Sequence, residues 1–188
     1  MFAGHFGVAA IVKAKAPEVP LWSLIVSSQL MDLVFLPLSL AGVEMIELIG
    51  DGGYGETIIH ADYTHSLIGA LLISLIAGLL AGLFWNRKSG IIIGSVAFSH
   101  WLLDLIVHRS DMPILPGNLG GFPLLGLGLW AVPTVSMAFE GLLIIAGSLL
   151  YFRYAINSAG SQRRGIGALM GSTMMLFLVF SLLSSMFS

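Results

Sequence analysis

The 188-residue chain has no cysteine and very little charge. Without thiols it forms no disulfide and offers no thiolate to a metal, which argues against iron–sulfur clusters and copper(I) sites. Charged residues make up 10% of the chain against 57% hydrophobic, and the mean hydropathy is +0.96. So few polar groups cannot clothe a water-soluble domain, and the sequence therefore calls for a bilayer as its solvent. The net charge of −2 provides no basic field, so no nucleic-acid partner is expected. Internal repeats and low-complexity segments are also missing. So are the marks of a cleavable signal peptide: the first positive residues, Lys13 and Lys15, follow the first apolar run instead of preceding it, and the segment is expected to be retained.

What the chain has in abundance is apolar runs long enough to cross a hydrocarbon core, about 20 residues each. Five are read, over Val19–Ile46, Tyr63–Trp85, Gly90–His108, Leu124–Phe152 and Gly165–Phe187. Each is expected to be helical, because lipid cannot satisfy an open backbone. Before them, Phe2–Ala14 is long enough for half a membrane and is stopped by Pro17 and Pro20, so it reads as a short inserted or re-entrant helix. The expectation is an all-α, polytopic membrane bundle of five spans plus this short helix. It forms one integral membrane domain, with the chemistry in residues 1–140 and the last span, 165–187, apart from it. Asp51-Gly-Gly-Tyr-Gly reads as a turn.

Lys13, Lys15, Arg87, Lys88, Arg153, Arg163 and Arg164 fall on one side of this topology, and Arg109 alone on the other. Since positive residues stay cytoplasmic, the connections at 47–62 and 109–123 should face outward, as should the carboxyl terminus.

All the histidines but His5 then lie on the outer side or within the spans, and a half-length helix ending at Lys13 would lift His5 to the same layer. In the third span His100, Asp104 and His108 recur every four residues and share one helical face. Imidazole with carboxylate suits zinc, and also iron or manganese. A hydrogen-bonded polar seam would use the same face. Asp32, with Gln29 one turn earlier, brings an acid into the middle of the first span, where a carboxylate is costly without a partner. His65 opens the second span. His60 and Asp62 read as loop residues, and Trp101 and Trp130 as packing or interface anchors. Glu140, midway along the fourth span, suits a ligand, a general base or a carboxyl kept neutral by its apolar surroundings.

Gly4-His5, Gln29-Leu-Met-Asp32, Tyr63-Thr-His65-Ser66-Leu67 and Ser99-His100-Trp-Leu-Leu-Asp104 with His108-Arg109 together resemble a bacterial family of membrane-bound metal-dependent hydrolases. The likeness runs from residue 4 to about Glu140. More remotely, the His-x-x-x-Asp element is similar to zinc-dependent phospholipase C, from which the chain departs in having Met in place of an amino-terminal Trp and helices set in lipid. The resemblance implies a bacterial inner-membrane protein, and the Lys and Arg distribution then has its site face the periplasm.

The expected reaction is hydrolysis of a lipid or lipid-linked phosphoester at the outer leaflet, one or two divalent ions activating water and polarising the phosphoryl oxygen. His5, Asp32, His65, His100, Asp104 and His108 are the expected ligands, Glu140 or Asp111 the proton acceptor, and Arg109 the phosphate contact. Membrane lipids are the expected surroundings and the source of substrate. Two other classes use the same residues. A transporter or channel would pass a metal ion or proton through them, although Ile91–Phe98 and Leu142–Leu150 offer no ionisable step across the inner half. A scaffold with a structural metal would close the coordination sphere.

Overall fold

In a computed structural model, which describes residues 1–48 and 57–187, the chain is mostly helical. The Asp51-Gly-Gly-Tyr-Gly stretch lies outside the described residues. The helices are α1 (Phe2–Lys15), α2 (Leu21–Ser28), α3 (Leu30–Leu40), α4 (Leu67–Phe84), α5 (Arg87–Val107), α6 (Pro133–Ala159) and α7 (Arg164–Phe187). Between α3 and α4 a two-stranded antiparallel hairpin pairs β1 (Met45–Leu48) with β2 (Thr57–His60), Met45 opposite His60. Among the described residues four helices, α4 to α7, are long and apolar enough to cross a membrane, and α2 with α3 makes a fifth if the bent pair is one span. On α4, Leu72, Leu75, Leu79 and Leu83 stand exposed on the outside, a surface suited to lipid.

α1 stops where it must: Ala16 precedes Pro17, and a residue before proline avoids the α region. Lys13 Nζ donates to the Pro17 and Val19 carbonyls (2.7 and 2.8 Å) and ties off the turn. Between α2 and α3 the axis bends by 50° at Gln29. Ser23, Ser27 and Ser28 all return their hydroxyls to carbonyls three or four residues back, a bonding pattern that bends helices. Gln29 and Asp32 thus stand on either side of a break and not on one continuous helix.

The first apolar run is not helical to Ile46. α3 ends at Leu40 because Gly42 adopts φ +71°, with Val43 N–H bonded to Leu38 O (2.9 Å) and Gly42 N–H to Ser39 O (3.0 Å), a Schellman turn. Tyr63–Ser66 is a turn, and α4 begins one residue after Ser66, whose hydroxyl accepts from Gly69 N–H (3.0 Å). A side chain at Gly69 would run into the Tyr63 carbonyl, so the turn requires glycine there. The fourth run likewise starts late. Residues 124–132 form a loop, with Gly126 and Gly128 at positive φ, before Pro133 opens α6 at the position a helix tolerates best. This loop bonds back onto α5 through Leu127 N–H to Leu105 O (2.8 Å) and Gly128 N–H to His108 O (2.6 Å).

The helices are drawn together through small residues. Gly90 and Gly94 of α5 meet Gly78 and Gly82 of α4, and Gly7 of α1 crosses Gly147 of α6 so closely that a Cβ at position 147 would lie 2.7 Å from the Gly7 carbonyl oxygen. The glycines flanking His5 are therefore contact points between α1 and α6.

Candidate metal centre

The four-residue spacing of His100 and Asp104 puts both on the buried face of α5, their side chains 3.0 Å apart from Nε2 to Oδ2. Three further segments bring side chains to this pair. His5, in the second turn of α1, reaches Asp104 Oδ1 through Nε2 (3.3 Å) and stacks on His100 with ring centroids 3.8 Å apart. Asp32, in the first turn of α3, places Oδ1 3.5 Å from Nε2 of both His65 and His100. His65, in the turn before α4, brings its Nε2 within 3.6 Å of Asp104 Oδ2. The amino group of Met1 is 3.3 Å from Asp104 Oδ1. Five of the six expected ligands thus meet in one cluster, within which His5, His100 and Asp104 form one group able to hold a metal ion and Asp32, His65 and His100 another, with His100 in both.

The bonds behind the rings decide what the cluster presents. His100 Nδ1 lies 2.8 Å from the carbonyl of Ser28, an acceptor left open where α2 breaks, so Nδ1 donates there and Nε2 is the nitrogen turned toward the carboxylates. That Nε2 is buried and, although close to two carboxylates, makes no hydrogen bond. An imidazole nitrogen and carboxylate oxygens facing one another at 3.0–3.6 Å need a proton or a metal cation among them. An imidazole tied at one nitrogen to a carbonyl and open at the other is how proteins hold metal-binding histidines. The donor set, three imidazoles and two carboxylates without thiolate, fits a first-row divalent ion. The side chain of Asp32 is 41% exposed against 5% or less for the other four, so the cluster has one open side.

The remaining expected site residues stand around this core. α5 ends at Val107, and the extended backbone of His108 (ψ 148°) takes it off the shared face. Its Nδ1 instead lies 3.1 Å from Asp111 Oδ1, its ring is 6.2 Å from that of His65, and Trp130 packs against it at 4.4 Å. Asp111 is therefore half of a partly buried pair with His108. Glu140 is fully buried on α6, and its Oε1 accepts the backbone N–H of Gly4 (2.9 Å), one of the four amide groups that α1 cannot satisfy internally. Arg109 is half-buried beside the 126–128 loop. His60, expected in a loop, is the last residue of β2 and lies at the surface against Glu47 (3.2 Å). Trp101 is buried and donates its indole N–H to the His65 carbonyl (2.8 Å), so it steadies the site and does not anchor an interface.

Sequence reasoning missed Glu44. It is 1% exposed and accepts from the backbone N–H groups of Tyr63 and Thr64, each at 2.9 Å, and from the Thr64 hydroxyl. Its signal was the one that revealed Asp32, an acid inside an apolar stretch, but it was read as part of a continuous helix. The role of Gln29, whose Nε2 donates to the Phe2 carbonyl (3.1 Å), is to moor the start of α1.

No family model, no curated protein and no solved structure matches the chain.

Proposed function

We propose that the chain is a metal-dependent hydrolase of the bacterial cytoplasmic membrane. In this reading α2 with α3, and α4 to α7, make five spans, α1 is a re-entrant helix, and the cluster faces the outside, where it cleaves a lipid or lipid-linked phosphoester. The observation that carries the reading is the buried, unbonded Nε2 of His100 among Asp32, Asp104, His65 and His5, with an opening at Asp32. Closed four-ligand spheres suit structural metals, whereas an open side leaves room for water and substrate. The motif resemblance supplies the hydrolase class and the bacterial membrane, and the clustering of Lys and Arg on one side supplies the orientation.

His5, Asp32, His65, His100 and Asp104 would hold the ion, zinc in the first instance. A bound divalent cation would supply Lewis acidity toward a phosphoryl oxygen and make water a usable nucleophile at neutral pH. His108, backed by Asp111, is placed one ring beyond His65 as the proton acceptor, since a carboxylate on one imidazole nitrogen sets the other up as a base. Arg109, next in the chain, is the cation for the phosphate. Glu140 holds the start of α1, and with it His5.

The test is elemental analysis of protein purified without chelator, followed by turnover of fluorescent phospholipid and lipid diphosphate in vesicles. One or two equivalents of zinc, iron or manganese are expected, lost in His100→Ala and Asp104→Asn. His108→Ala should keep the metal and lose about a hundredfold in turnover, a common cost of removing a general base. Metal or proton flux without hydrolysis would place the chain among transporters, and full metal retention in both ligand variants would reduce the cluster to a hydrogen-bonded seam. A reporter fused beyond α7 should be active only outside the cytoplasm.

A further inference from the structure

We propose that Glu44 and Thr64 form a relay that holds the His65 ring with its proton on Nδ1 and so presents Nε2 to the metal; the proposal rests on the metal-centre reading above. Glu44 follows the Schellman turn that ends α3, and its Oε1 is anchored by the Tyr63 and Thr64 amides. The Thr64 hydroxyl lies 3.1 and 3.0 Å from the two carboxylate oxygens of Glu44 and 2.9 Å from His65 Nδ1.

A hydroxyl has one proton to give and lone pairs to receive with. A carboxylate only accepts, so the Thr64 proton is directed at Glu44. The oxygen of Thr64 must then accept from His65, and this requires the Nδ1–H tautomer. His65 Nε2, with its lone pair, is left facing Asp32 and Asp104 at 3.5 and 3.6 Å. The outcome is the one that the Ser28 carbonyl imposes on His100, reached through a side-chain chain instead of a backbone group. Trp101 holds the His65 carbonyl from the other side, so the backbone as well as the ring is oriented. Glu44 and Thr64 are thus positioning residues, two bonds and one bond removed from the metal. Such outer partners typically contribute about ten- to a hundredfold to metal affinity.

The alternative is that Glu44 merely caps the Tyr63–Ser66 turn, and tautomer distinguishes the two. Full-length protein carrying ¹⁵N-histidine is stripped of metal in detergent, and the His65 ring nitrogens are assigned by their loss in His65→Gln. Wild type and Thr64→Ser are expected to show a protonated Nδ1 and a bare Nε2. Thr64→Val, which keeps the shape and removes the hydroxyl, should lose that signature and bind zinc about ten- to a hundredfold more weakly. Glu44→Gln should follow it; if that variant does not fold, judged by far-ultraviolet circular dichroism, Thr64→Val carries the test. An unchanged His65 tautomer in folded Thr64→Val, or equal zinc loss in Thr64→Ser and Thr64→Val, overturns the relay. A wild-type protein that binds no zinc, iron or manganese would instead overturn the metal centre, and the nitrogen signature would still decide the relay.

Discussion

Gly147→Ala tests whether the site depends on a helix crossing that contains no ligand. An added Cβ at 147 would lie 2.7 Å from the Gly7 carbonyl oxygen, where ordinary contact begins at 3.4 Å, and Gly7 itself already lies against the Leu143 carbonyl. Backbone opposes backbone here, so no side chain can swing aside, and α1 must withdraw from α6 by about 0.7 Å. His5 sits two residues from Gly7 on the same rigid helix and must move with it, while His100, Asp104, Asp32 and His65 belong to elements that Gly147 does not press. Ligand distances are held to within about 0.2 Å in working metal sites, so a displacement several times larger should take His5 out of the coordination sphere. The expected result is a fall in zinc affinity of about tenfold to a hundredfold with helix content preserved, and a stability loss of about 1–3 kcal/mol from overpacking. Competition with a chromophoric chelator reads the first, thermal denaturation in detergent the second. Lower stability with unchanged affinity would show that His5 is not held by this crossing and would remove it from the ligand set.

Glu140 admits two roles that substitution separates. If it only receives the Gly4 amide, Glu140→Gln keeps an acceptor oxygen and retains metal and turnover, whereas Glu140→Ala leaves a buried N–H unpaired, costs about 1–3 kcal/mol and loosens His5; loss of turnover in Glu140→Gln with metal intact would make it a proton acceptor after all. At the other end of the molecule, the Lys88 ammonium beside Glu18 (2.7 Å) holds the Glu18 carboxyl below its ordinary range. A lowered folded value means stabilisation that is present above the ordinary carboxylate range and lost as pH falls through the folded value. Lys88→Ala should therefore raise the Glu18 titration midpoint in carbon-detected NMR, with a small destabilisation near neutral pH that vanishes in acid; a midpoint that does not rise would refute the pairing.

How much of this was legible depended on whether a residue's place follows from helical arithmetic. His100 and Asp104 share a face because the period of α5 is fixed, and His5 reaches them because a helix of 14 residues spans about 21 Å, half the full thickness of a bilayer. The same arithmetic failed for His108, because extrapolating a period assumes that the helix continues, and α5 stops one residue earlier. It failed again from Gly42 onward, where apolarity alone favoured more helix while the Gly φ and the Val43–Leu38 bond ended it, leaving Met45–Leu48 to pair as a strand. An apolar run measures burial in lipid but does not distinguish a helix from the turn that closes it, which is why Leu124–Val132 was also placed in a span. Ser28 acts through a carbonyl, and Glu44 on the Tyr63 and Thr64 amides, that are open only at breaks, and the position of a break is a tertiary matter.

Those breaks explain why the cluster lies where it does. His5 is near the start of α1, Asp32 in the first turn after the 50° bend, His65 just before α4, and His100 with Asp104 in the last two turns of α5. Irregular backbone within apolar surroundings is tolerated only where it is buried in protein or lines a polar cavity, so four helix ends that meet need polar side chains to receive their open groups. Gln29 receives none of its bonds from lipid: it serves the Phe2 carbonyl, as Glu140 serves the Gly4 amide and the Pro113 and Ile114 carbonyls serve the first amides of α4. The amino-terminal ends of α1 and α3 also carry partial positive charge toward Asp104 and Asp32, which lowers the cost of holding two carboxylates in apolar surroundings that a continuous span could not accommodate. A cluster of acids and imidazoles, and the broken helices around it, are therefore one solution: each break supplies the donors and the polarity that the ligands need, and the ligands occupy the space that the breaks open.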